Sequence, residues 1–195
     1  MAMNRWIVCG CAALAACGGG AKKEEPKPGA GESAIISVAP PASASKFSRA
    51  DTAWSVTPRG IGSVKVGSNA RDALGLNVTL ADAPGATQAC AYVRSGRLPA
   101  GVGVLATKGE VARIDVDSGR VATLEGARIG DPEERVRQIY AGRVRQEPRK
   151  YTEGHYLVVT PADSGYRIIF ETDGKAVTSY RAGRMPEVAW VEKCG

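Results

Sequence analysis

His155 is the single histidine of the chain, set between Gly154 and Tyr156 at the head of an apolar run, His155 to Thr160. An imidazole there would act as a base only with a nucleophile and an acid converging on it. The sequence carries no nucleophile elbow and no cysteine near a helix start, so His155 reads as a hydrogen-bonded structural support. Asp115 and Asp117 fall on one strand face, as a hydrolytic carboxylate pair would, but Ser118-Gly119 follows at once and favours a solvated strand end and turn. Gly60-Ile61-Gly62 lacks the third glycine and the βαβ context of a dinucleotide fingerprint. No catalytic residue, cofactor or metal is expected from these patterns.

A stronger signature stands at the N-terminus. Behind Asn4-Arg5, Trp6 to Ala16 is an apolar or small-residue run that closes on Leu14-Ala15-Ala16-Cys17. It is shorter than the roughly twenty residues that span a bilayer and has the length and small-residue exit of a secretory core. The segment resembles a bacterial lipoprotein signal, in which the cysteine thiol is acylated and the peptide bond before it is cut. That resemblance implies a signal over residues 1–16, starting at Met1 or Met3, and a lipid on Cys17. An ordinary cleaved signal with an incidental Cys17 is the alternative. Gly18 behind the cysteine resembles the outer-membrane sorting pattern, which implies anchoring in the outer membrane facing the periplasm. The metal-like spacing of Cys9 and Cys11 then leaves with the signal.

Composition bounds the rest. With 195 residues, 44% of them hydrophobic, the chain has material for one core or two small ones, which excludes wholesale disorder and a multi-domain machine. Loss of residues 1–16 removes Arg5 alone and lowers the formal net charge from +6 to +5. Bases are spread among acids rather than gathered in a stripe, so no nucleic-acid partner is expected. The nearest thing to a cluster, Arg143, Arg145, Arg149 and Lys150, contains Glu147 and reads as a solvated loop, with an anion site as the alternative. Of the five cysteines, only Cys90 and Cys194 would remain unmodified after processing. In an exported protein such a pair is expected to form a disulfide.

Residues 17–53 run through Gly-Gly-Gly, Lys22-Lys23-Glu24-Glu25-Pro26-Lys27-Pro28 and Ala/Ser/Pro mixtures, the composition of a flexible tether. From Trp54 the pattern changes to alternating apolar stretches and glycine turns, and two halves can be superimposed. Val64-Lys65-Val66-Gly67-Ser68 matches Ala127-Arg128-Ile129-Gly130-Asp131 at an offset of 63. Each is expected to lead from a short strand into a capped helix, the second with Asp131 as cap, Pro132 in the first turn and Glu133-Glu134 at the positive end of the dipole. Val104 to Val111 matches Ile169 to Ala176 at an offset of 65, as hairpins turning on Lys108-Gly109 and Asp173-Gly174. Gly119-Arg120 and Gly183-Arg184 close the copies.

The expected fold class is therefore α+β: two tandem copies of a strand, helix and antiparallel meander, about residues 59–120 and 124–192 of a domain over 54–195. The pattern Gly67, Ala73, Gly75 and Gly130, Val136, Gly142 resembles the tandem helix-plus-meander domains of BamE-like outer-membrane lipoproteins and of the beta-lactamase inhibitory protein. That resemblance implies a non-catalytic binding or scaffold lipoprotein of the cell envelope with an envelope protein as partner; an inhibitor-like module that blocks an enzyme is the alternative. Five of the six tyrosines lie in the second copy, either as a recognition face or closing a small core. Partner contacts are expected there at Arg149, Lys150, Tyr151, His155 and Tyr156.

Overall fold

Apolar residues at every second position, broken by turn-forming glycines, dictate strands, and strands dominate. The computed structural model describes residues 53–75, 89–149 and 152–194. The chain forms three two-residue strands, β1 (Val56–Thr57), β2 (Gly60–Ile61) and β3 (Val64–Lys65), then helix α1 (Ala70–Leu74). Strands β4 (Cys90–Val93), β5 (Val102–Thr107) and β6 (Glu110–Val116) follow, then helix α2 (Glu133–Ile139). Strands β7 (Val144–Pro148), β8 (His155–Val159), β9 (Tyr166–Thr172) and β10 (Val177–Arg184) complete the sheet, and a 3₁₀ turn, Glu187–Ala189, follows. The architecture is α+β with the sheet dominant.

β4 to β10 make one seven-stranded sheet in the order β4-β5-β6-β10-β9-β8-β7, every pairing antiparallel. Strands β6 and β10 meet at the centre, where Ala182 lies opposite Ile114 and Tyr180 opposite Val116. On the inner face, Val104, Ile114, Leu157, Phe170 and Tyr180 pack against Ala70 and Leu74 of α1, Val136 of α2 and Val56, Ile61 and Val64 of the small sheet. Tyr140, just past α2, stacks at 5.8 Å on Phe170, which lies 5.4 Å from Tyr180. Tyr140 and Tyr180 therefore belong to the core, and only part of the tyrosine excess is left for a surface.

The β5–β6 turn follows the expected chemistry: Lys108 (φ 52°) and Gly109 (φ 80°) form a two-residue loop closed by the Thr107–Glu110 pair. The second hairpin departs from expectation. Its closing pair is Thr172–Val177, so four residues intervene, and the Asp173 carboxylate accepts from Lys175 N (2.9 Å) and Ala176 N (2.8 Å). An aspartate that satisfies two backbone donors builds its own turn, and a tight two-residue loop is not needed.

The helix starts also differ. Asn69, not Ser68, caps α1, its side chain accepting from Asp72 N at 3.1 Å. Asp131 does not cap α2: its carboxylate turns back to accept from Arg128 N at 2.9 Å and pairs with Arg135. Gly183-Arg184 forms the end of strand β10, which runs through Arg184. The stretch from Arg143 to Arg149, expected as a loop, contains the edge strand β7, in which Arg145 and Glu147 alternate with Val144 and Gln146. The alternation of a short polar strand is hidden when only one residue in each pair meets a core.

Candidate functional site

Strand alternation places neighbouring residues on opposite faces, and this separates the expected binding residues. His155 faces inward: its Nδ1 lies 2.8 Å from Glu133 Oε1 of α2, and the Thr172 hydroxyl donates to the same oxygen. Arg137 donates to the other carboxylate oxygen at 2.7 Å. Burial alone would raise the Glu133 carboxyl, but donation from Thr172, His155 and Arg137 holds it below the usual range. His155 is thus hydrogen-bonded and anchors α2 to the sheet. Arg149 and Tyr156 face outward together, with the guanidinium 5.7 Å from the ring centre. Lys150 and Tyr151 lie outside the described residues, as do Cys17, the signal and the tether as far as residue 52.

The outer face is partly covered by the segment after β10. Cys90 and Cys194 form a disulfide, with their Cα atoms 5.7 Å apart, which ties the end of this strap to β4. Two arginines hold its backbone. Arg113, 1% exposed, donates to Glu187 O (3.1 Å) and Trp190 O (2.8 Å), and Arg181 donates to Val188 O (2.7 Å). Each arginine keeps a carboxylate: Asp115 pairs with Arg113 at 2.9 Å, and Glu171 pairs with Arg181 and, at 3.2 Å, with Arg149. Asp115 is therefore no solvated strand end. Burial pushes its carboxyl up even beside Arg113.

Glu187 closes the strap's other contact, accepting from the Thr107 hydroxyl at 2.8 Å. Burial would raise its carboxyl, but Thr107 and Arg184 outweigh that and lower it. Tyr92 lies under Lys193, whose ammonium is 4.1 Å from the ring centre. Its hydroxyl has no partner among the described residues, and burial together with Asp115 pushes it up to about 12. Gly103 makes room for it, since a Cβ there would sit 2.1 Å from that hydroxyl oxygen.

The strap divides the outer face into two clefts that share Val191 as a wall. One, about 220 Å³, is lined by charge: Arg113, Asp115, Asp117, Glu171, Arg181 and Lys193. The other, about 370 Å³, has an apolar floor of Val158 and Ile169 beside Tyr156, with Arg145, Glu147, Arg167 and Arg181 at its sides and Met185 and Val191 toward the strap. Tyr156 is held between Arg149 at 5.7 Å and Arg181 at 5.5 Å, and Glu171 clamps both guanidinium groups. Among the described residues no three His, Cys, Asp or Glu side chains are placed to share a metal ion.

Arg113 and Arg181 carry only a faint signal in the sequence: an arginine at an alternate position of an apolar strand, Ala112-Arg113-Ile114 and Tyr180-Arg181-Ala182, which sequence reasoning missed. Such a residue requires something polar to cover the second sheet face. No family model, curated protein or solved structure matches the chain.

Proposed function

We propose that this chain is a cell-envelope lipoprotein that works by binding a protein partner rather than by catalysis. In this reading residues 1–16 are the signal, Cys17 carries the lipid, residues 17–53 are the tether, and the domain over 54–195 is presented from the outer membrane into the periplasm. The domain is two tandem copies of one helix-and-meander unit, of the BamE-like or beta-lactamase-inhibitory-protein-like kind. Supporting that are the sequence offsets of 63 to 65 and a sheet order in which β6 and β10, the last strands of the two halves, lie side by side.

The observation that carries the binding reading is the Arg149–Tyr156–Arg181 stack on the outer sheet face, fixed from below by Glu171 and set beside an apolar cleft. Arginine and tyrosine anchors concentrate binding energy in interfaces, most of all where a rigid scaffold has already removed their rotamer entropy. The test has two arms. A Cys17→Ser variant in cells is expected to lose both lipid labelling and membrane attachment. A photo-crosslinker at Lys150 of the anchored protein is expected to trap an envelope protein, and Tyr156→Ala with Arg149→Ala to abolish the adduct while circular dichroism stays unchanged. An enzyme trapped in equal stoichiometry would favour the inhibitor form of the reading, and an assembly complex the scaffold form. A soluble Cys17 protein, or an adduct indifferent to Tyr156 and Arg149, would count against it.

A further inference from the structure

We propose that the larger outer cleft is a docking trough for an extended segment of the partner, one that places an apolar side chain on Val158 and Ile169 and a carboxylate against Arg167. This deepens the binding reading above and rests on it. Val158 and Ile169 belong to a second apolar cluster, with Val188 and Tyr156, separate from the main core. The strap continues that apolar surface outward, because Met185 is 41% and Val191 62% exposed. A volume of about 370 Å³ accommodates one or two apolar side chains, and the trough is partly open to solvent. An open trough suits a chain lying along it; a free fatty acid would need its tail enclosed.

Charge decides the flank of the occupant. Arg145 is held by Glu147 at 2.5 Å, and Arg181 by Glu171. Arg167 has no carboxylate among the described residues: its Nη1 donates to the carbonyls of Ser164 (2.7 Å) and Tyr166 (2.6 Å), and Nε and Nη2 have no partner among them. A guanidinium so oriented offers its remaining fork to one carboxylate. One unneutralised cation among ion pairs fits a single acidic residue and not a layer of lipid phosphates.

The probe is a fluorescein-labelled heptapeptide, Asp-Glu-Leu-Phe-Leu-Glu-Asp, titrated by anisotropy against the full chain in detergent micelles. The control replaces its four acids with Lys, and vesicles of phosphatidylglycerol form a third arm. The acidic peptide is expected to bind at least about tenfold more tightly than the Lys peptide, and less tightly as salt rises. Arg167→Glu should weaken it by about tenfold or more, as should Val191→Glu, which adds a like charge at an exposed position where folding is undisturbed. Equal affinity for both peptides, or an Arg167→Glu affinity equal to that of the unaltered chain, overturns the proposal. Vesicle capture through Arg167 without peptide binding overturns it in favour of a membrane-facing trough. A crosslinked partner insensitive to Arg167→Glu removes the trough and leaves the binding reading standing. Peptide binding with no crosslinked partner removes the envelope reading and leaves the trough.

Discussion

Glu133 takes donors from three directions, and its removal would strand two of them. Glu133→Ala leaves His155 Nδ1 and the Thr172 hydroxyl facing a vacated site, which is expected to cost about 1–3 kcal/mol in urea unfolding. The same carboxyl makes the fold acid-sensitive. Its folded-state pKa lies below the ordinary 4.5, so its stabilisation is fully present above that value and is lost as pH falls through the lowered one. Glu187 is lowered in the same direction and adds to the effect. Urea midpoints measured between pH 7 and pH 3 should therefore fall steeply below about 4.5 for the unaltered protein. They should fall less steeply for Glu133→Gln, which cannot ionise. Tyr140 tests a hydroxyl in the same way: it meets Thr123 Oγ1 at 2.7 Å and Glu125 Oε2 at 2.9 Å. Tyr140→Phe should cost about 1 kcal/mol at neutral pH, because it deletes the hydrogen bonds and keeps the stacked ring.

Among the elements, the two hairpins differ in what holds them. Gly109 stands at φ 80°, and no heavy atom comes within 4 Å of where a Cβ would stand, so a side chain there meets backbone strain and no clash. Gly109→Val should destabilise by about 1–2 kcal/mol in thermal or urea unfolding, and the partner-binding face should be unaffected. The β9–β10 loop relies on Asp173 as a backbone acceptor, and Asp173→Ala is expected to loosen that loop in amide hydrogen exchange without shifting the β5–β6 turn. Both turns were legible as turns because Lys-Gly and Asp-Gly are local signals. Their lengths were not equally legible, since a side-chain acceptor competes with the tight turn and wins only once the strand register is set. Strand β7 was illegible for a related reason. Its outward residues Arg145 and Glu147 are charged, and of the residues on the other face only Val144 is half-buried while Gln146 and Pro148 are exposed, so the pattern carries little apolar contrast.

At the scale of the molecule, the bridge joins Cys90 and Cys194, which lie 104 positions apart in the chain, and fastens the strap over the outer face. Cys194→Ser, or reduction, is expected to cost up to about 4.7 kcal/mol in the chain-entropy account, less whatever the strap retains through Arg113 and Arg181. Comparing urea midpoints of oxidised and reduced protein checks it, and Lys193 and Trp190 should gain hydrogen exchange before the sheet does. Most of the strands, the places where the chain turns and the pairing of Cys90 with Cys194 were readable from the sequence by itself. Each of those rests on local alternation, turn chemistry or a small set of thiols. Only the tertiary structure decided that Arg149 and Tyr156 share a face from which His155 is turned away, and that Arg113 and Arg181 are buried beneath a strap. The physical reason is that a strand's alternation says that two faces exist and is silent about what covers the second. Here that cover is a segment more than 70 residues beyond Arg113, held by carbonyl acceptors that every residue possesses and no sequence pattern distinguishes.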